Sequence, residues 1–172
     1  MAVLARDEIL RRIRAGDIHI DPFSEDQIGP ASVDLHLGNQ FRVFKRVRDI
    51  FHVTEDADYE SVTDLLTIEN DDYFVLMPGE TAHGLTRERV TLPDDLCGWL
   101  QGRSRFARIG LMVHITASFM HPGIDNHQTL EMNNAGPMPL AIRPGIKICQ
   151  FVFEETVGKG HYTGRFQHQV TP

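Results

Sequence analysis

Three short segments of this sequence hold residue types that could do chemistry. The first is Gly102-Arg103-Ser104-Arg105-Phe106-Ala107-Arg108-Ile109-Gly110. It reads as a glycine after a strand, then one or two helical turns closed by Gly110, with Phe106 and Ile109 facing a core and Arg105 and Arg108 projecting together. Backbone N–H groups at a helix start, a serine hydroxyl and arginines bind anions such as phosphate. An ordinary surface helix with arginines fits the same pattern. The second is Thr129-Leu130-Glu131-Met132-Asn133. In a strand, Leu130 and Met132 point one way and Thr129, Glu131 and Asn133 the other. A carboxylate in mid-strand needs a salt-bridge partner or a catalytic job. The third is His161-Tyr162-Thr163-Gly164-Arg165-Phe166-Gln167-His168-Gln169, whose aromatic, cationic and amide groups suit a segment closing over a base and phosphates. Disorder is the common fate of such tails.

The elements that must position these groups read as mostly β. Residues 6–15 have Ile9, Leu10 and Ile13 at helical spacing, with Gly16 as a stop and Arg11-Arg12 on a solvated face. After it come short strands with turns between them. Val33 to Leu37 alternates with period two, Gly38-Asn39 turns, and Phe41 to Val47 alternates again. Residues 54–72 are acidic and patternless, which predicts a mobile surface excursion. Strands are expected at Phe74–Met77, Thr81–Thr86, Cys97–Gln101, Leu111–Thr116, Thr129–Asn133, Leu140–Ile142 and Lys147–Phe153, with Pro/Gly turns at Pro78-Gly79, Pro122-Gly123 and Pro144-Gly145. Many short strands with evenly spaced turns argue for a barrel or sandwich. No internal repeat and no second-domain boundary is visible, so residues 1–172 read as a single domain whose last stretch, 158–172, is a disordered tail or a lid.

Composition narrows the function classes. The chain has 172 residues, enough for one real core. Its formal net charge of −7 argues against a general nucleic-acid binder, which needs a basic surface. A single nucleotide can still bind if arginines form a local basic pocket. Cys97 and Cys149 sit in apolar stretches and read as buried free thiols. No apolar run approaches the roughly 20 residues that a membrane span requires, and the first 20 residues lack an apolar signal core, so a cytoplasmic location is expected.

Taken together, the motifs resemble those of the dCTP deaminase family over nearly the whole chain. They run from Ile20-Asp21-Pro22-Phe23 and Pro30-Ala31-Ser32-Val33-Asp34-Leu35 through Glu88-Arg89-Val90-Thr91-Leu92-Pro93 and Gly102-Arg103-Ser104 to Thr129-Leu130-Glu131, Arg143-Pro144-Gly145 and Tyr162-Thr163-Gly164-Arg165-Phe166-Gln167. Each alone is weak; the ordered set is specific. The resemblance implies a distorted, jelly-roll-type β-barrel shared with dUTPases, with a few short helices, and a homotrimer with active sites between subunits. It implies deamination of dCTP to dUTP and ammonia without zinc, and the sequence lacks the His-x-Glu…Pro-Cys-x-x-Cys pattern of zinc deaminases. The nine histidines are scattered, and His121 and His127, flanking an expected hairpin, read as surface residues. By the resemblance Glu131 is the general base, its pKa expected to be brought towards neutrality. Arg108 positions the water or supports developing charge, with Ser104 in the same network, and the backbone of Ala117 helps to hold the water. Arg103, Ser104, Arg105 and Thr116 contact the substrate, and Tyr162, Arg165 and Gln169 close over it. Mg²⁺ travels with the triphosphate.

The sequence departs from the family pattern in four places. Arg105 replaces a second serine, His121 stands where relatives usually have Asp, Ile124 replaces an aromatic residue, and Gln167-His168-Gln169-Val170 lacks the usual glycine. A histidine cannot copy a carboxylate acceptor at neutral pH, which weakens a dUTPase step. The leading expectation is therefore a deaminase that releases dUTP. The alternatives are a dUMP-forming version or one acting on a modified cytosine nucleotide, and a non-catalytic nucleotide-binding regulatory trimer.

Overall fold

In a computed structural model, which describes residues 2–46, 49–69 and 72–172, the longest strands carry the clearest alternation. β9 (Asp125–Asn134) alternates half-buried and buried residues along its whole length. It lies against β5 (Thr81–Thr91), which lies against β2 (Val33–Phe44). The sheet continues through β11 (Lys147–Glu155) and β6 (Leu96–Gly102). The two-residue strands β7 (Leu111–Met112) and β8 (Phe119–Met120) form its ends. β1 (His19–Asp21) pairs with β5 and β3 (Thr63–Thr67) with β2, all antiparallel. β4 (Phe74–Leu76) and β10 (Leu140–Ile142) make a separate pair.

Inward-facing positions of these strands fill one core. Phe41 stacks on Phe74 with ring centroids 4.6 Å apart, and Phe151 packs on Phe153 at 4.7 Å. Gly98 faces that cluster because a Cβ there would sit 1.9 Å from the Phe151 ring, so β6 approaches β11 only without a side chain. Cys97 and Cys149 are buried free thiols, as expected. The first helix, α1 (Arg6–Ala15), ends at Gly16 with φ 79°, also as expected. Among the described residues, no helix is long and apolar enough to cross a membrane.

Several local expectations fail. β2 runs straight through Gly38-Asn39; the glycine marks a register shift between Leu37 and Phe41, not a turn. Its second half ends at Phe44, and Val47 lies outside the described residues. The acidic stretch 54–72 contains a short 3₁₀ turn and β3, held by backbone pairing to β2 although Leu65 and Leu66 are exposed. The strand expected at Leu111–Thr116 is two residues long. No hairpin joins His121 to His127: β8 pairs with β6, and β9 with β5. Arg12 is not on a solvated face; its side chain is 12% exposed and lies 3.0 Å from both Glu8 and Glu155.

Candidate active site

Leu130 and Met132 are fully buried in the core, so alternation turns Glu131 to the other face of β9. There it borders a cavity of about 370 Å³, a size suited to a small organic ligand. The sheet contributes His83, Gln128, Thr129 and Glu131 to this cavity; the segment 114–124 contributes His114, Ala117, His121 and Ile124. Tyr162, Phe166 and Gln169 come from the C-terminal stretch and Tyr59 from the excursion. Glu131 is the one carboxylate among the described residues that line it.

One oxygen of that carboxylate is held. The Thr116 backbone N–H donates to Glu131 Oε2 at 3.4 Å, and His114 Nδ1 stands 3.5 Å from the same oxygen, an ion-pair approach without hydrogen-bond alignment. The His114 imidazole beside it, helped by the Thr116 N–H, holds the Glu131 carboxyl down at about 2 against the opposing effect of burial. The expected shift towards neutrality is thus reversed in the single chain. The reason is a histidine that the sequence reading passed over. His83 is the Cα partner of Glu131 on β5, and burial lowers its pKa despite the nearby carboxylate.

The C-terminal stretch is bound along the mouth of this cavity. Tyr162 N–H donates to Pro122 O at 2.9 Å, and its ring stacks on His121 at 5.2 Å and 4°. The Gln167 side chain donates to Gly123 O at 2.6 Å, Asn126 donates to Phe166 O at 2.6 Å, and His127 N–H donates to Gln169 O at 3.1 Å. Arg42, 8% exposed, donates to Pro172 O at 2.5 Å. His121, exposed as expected, and the half-buried His127 both border the cavity, though no hairpin joins them.

The basic segment lies elsewhere. Its helix, α2 (Ser104–Ala107), is only four residues long and is capped by Arg108, and the turn after it ends at Gly110 with φ 88°. Ser104, Arg103 and Arg105 border a second cavity of about 360 Å³ with Ser32, Asp34 and Gln150. Arg103 is committed there: Nη2 lies 3.2 Å from Asp34 and Nη1 donates to Lys147 O at 3.0 Å. Arg105 and Arg108 are exposed, and Ile109, expected in the core, is 46% exposed. Arg165 points to Asp58, 3.4 Å away, rather than into the Glu131 cavity. One chain therefore brings Glu131, Ala117, Tyr162 and Gln169 together, with the Thr116 N–H behind the carboxylate. It does not bring Arg103, Ser104, Arg105, Arg108 or Arg165 to them. His83, His114, Gln128 and Tyr59 were missed; only strand pairing and long-range packing reveal them.

A family model described as dCTP deaminase-like matches residues 3–156 of this chain. The chain is 41% identical over 177 residues to a protein of Parafrankia sp. named "dCTP deaminase, dUMP-forming", covering 99% of this chain and 88% of that protein. It is 45% identical over 183 residues to the "dCTP deaminase" of Rhodospirillum rubrum, covering 98% and 93%. Among solved structures, the 2'-deoxycytidine 5'-triphosphate deaminase of Agrobacterium tumefaciens matches with a TM-score of 0.67 at 20% identity, over 88% of this chain and 47% of that one. The likeness carries the fold: a curled, mostly-β sheet with few helices, dUTPase-like as expected.

Proposed function

Because this chain belongs to the dCTP deaminase-like family, we propose that it is a cytoplasmic, zinc-independent dCTP deaminase that releases dUTP and ammonia, with Glu131 as its general base. The observation that carries this reading is Glu131, the one carboxylate among the described residues that line the cavity, held through Oε2 by the Thr116 N–H. Water attacks C4 of cytosine while Glu131 takes one of its protons and passes it to ring N3. The second water proton then moves, again through Glu131, to the exocyclic amine. The C4–N bond breaks, ammonia leaves, and C4 becomes the uracil carbonyl. Glu131 needs a higher pKa for this than the about 2 of the open cavity. A bound base expels water, and desolvation raises a carboxyl pKa. Ala117 borders the same cavity, and its backbone would help to hold the attacking water.

The basic segment completes the site from a neighbouring chain in a homotrimer. Arg108 supports the developing charge beside Ser104, while Arg103, Ser104 and Arg105 face the triphosphate. The C-terminal stretch acts as a lid, with Tyr162 and Gln169 at the cavity and Arg165 turning from Asp58 to the phosphates. Mg²⁺ would arrive with the triphosphate and would supply charge neutralisation there. Asp34, which borders the second cavity, is paired with Arg103, so the metal's ligands there would come from the nucleotide.

A second reading, dUMP formation, is favoured by the name of the Parafrankia relative. It requires a second activated water, and the cavity offers His121 stacked on Tyr162 instead of a second carboxylate. The test is chromatography of the products from dCTP and Mg²⁺. Release of dUTP is expected. dUMP with pyrophosphate would favour the second reading, and unchanged dCTP would overturn both.

A further inference from the structure

Three residues stand in one row across the sheet beside the cavity. Arg42 on β2 is the Cα partner of His83 on β5, and His83 is the Cα partner of Glu131 on β9. Directly paired residues share a face, with Cβ atoms roughly 5 Å apart. Whatever carbon Glu131 serves therefore passes close to the His83 ring.

Several hydrogen-bonding groups of this neighbourhood are already engaged. Arg42 donates to Pro172 O and to Thr63 Oγ1, and its guanidinium lies over the Tyr59 ring at 5.6 Å. Oε2 of Glu131 faces the Thr116 N–H and His114. His127 Nδ1 donates to Thr86 O at 3.1 Å. His83 is different. Its ring is fenced by the edges of Phe44 at 5.3 Å and Tyr59 at 5.7 Å, and its Nδ1 is buried without a hydrogen-bond partner among the described residues. Buried polar atoms in folded proteins almost always have a partner, so His83 beside Glu131 keeps a hydrogen-bonding nitrogen to spend.

Resting on the deaminase reading above, we propose that His83 is a further specificity-determining residue. Its imidazole hydrogen-bonds the exocyclic group on the carbon that Glu131 serves, and so favours ligands with a polar group there over those with hydrogen. A neutral imidazole offers one donor and one acceptor nitrogen. It can accept from the amine of the substrate and, in the other tautomer, donate to the carbonyl of the product. A hydrogen atom at that carbon satisfies neither.

The test is a binding cycle in the full-length Glu131→Gln protein, followed by calorimetry. Its two ligands are dCTP and the corresponding 2-pyrimidinone deoxynucleoside triphosphate, which lacks only the exocyclic amine. With His83 present, dCTP binds at least tenfold more tightly than the analogue. In His83→Leu the preference collapses to under threefold while the analogue keeps its affinity, and His83→Gln restores part of it. Equal weakening of both ligands by His83→Leu, or no change in either, overturns the proposal. Turnover of dCTP by the unmodified protein is measured in parallel. Turnover with an unmoved ratio defeats the His83 role alone; no turnover and no cytosine nucleotide binding defeats the deaminase reading with it.

Discussion

Glu131 and Arg108 are both charged residues expected to act on the same water, yet their surroundings are opposite. Glu131 sits mid-sheet, with β5, the loop around Thr116 and the C-terminal stretch of its own chain around it. Arg108 closes a four-residue helix and is exposed. A central strand inherits its surroundings from the pairing of its own chain. A single turn of helix at the surface has too few neighbours to build a pocket, and its cations are stabilised only when something anionic or another subunit arrives. On the proposed function, the site divides into a half that one chain builds around Glu131 and a basic half that a neighbouring chain would supply.

The first way to break that division is to remove the completed half. Glu131→Gln keeps the shape and the Thr116 contact but takes away the proton shuttle. Turnover should fall by about 10³-fold or more, while dCTP affinity measured by calorimetry stays within about threefold. Retained turnover would remove Glu131 from the mechanism. The second way is to separate the halves. Arg108→Ala alone should lower kcat about 10²-fold. Co-refolding of Glu131→Gln chains with Arg108→Ala chains should restore part of the lost activity, because some mixed sites combine an intact Glu131 with an intact Arg108. Mixtures no more active than their parents would place both residues in one chain's site and contradict the division.

The same contrast explains what was legible in the sequence. Leu130-Glu131-Met132 could be read because period-two alternation is a local property, and α1 with its Gly16 stop because helical spacing is too. Gly38-Asn39 misled because a bulge and a turn use the same residue type, and only the continued pairing with β5 tells them apart. β3 carries no alternation to read; main-chain bonds to β2 hold it. His83 and His114 were invisible because their meaning lies in register and packing across dozens of residues. The C-terminal stretch binds through backbone carbonyls at Pro122, Gly123, Phe166 and Gln169, groups that every sequence has. The division of the anion and carboxylate residues between two faces is likewise a property of the folded chain.

The smallest expected effect tests whether the completed half is also a mechanical unit. Beyond the register shift in β5, Arg89 grips Asp125 at the start of β9 through two bonds of 2.7 and 2.8 Å, and Thr91 donates to the same carboxylate at 2.8 Å. The Arg89 guanidinium, with Thr91, holds the Asp125 carboxyl at about 2, below its usual 3.8. The pair is partly exposed, so Arg89→Ala should cost about 1 kcal/mol at pH 7. For a chain of this size that is a fall in Tm of roughly 2–4 °C. A depressed carboxyl contributes stability that is fully present above 3.8 and is lost as pH falls through about 2. The difference between Arg89→Ala and the parent, measured by denaturant melts, should therefore narrow as pH drops from 7 towards 2. A constant difference across that range would mean that Arg89 acts through packing of its stem. Turnover at pH 7 should change less than twofold, because the clamp lies at the far end of β9 from Glu131 and leaves the Thr116 and His83 contacts untouched; a larger loss would tie the strand's anchoring directly to the chemistry.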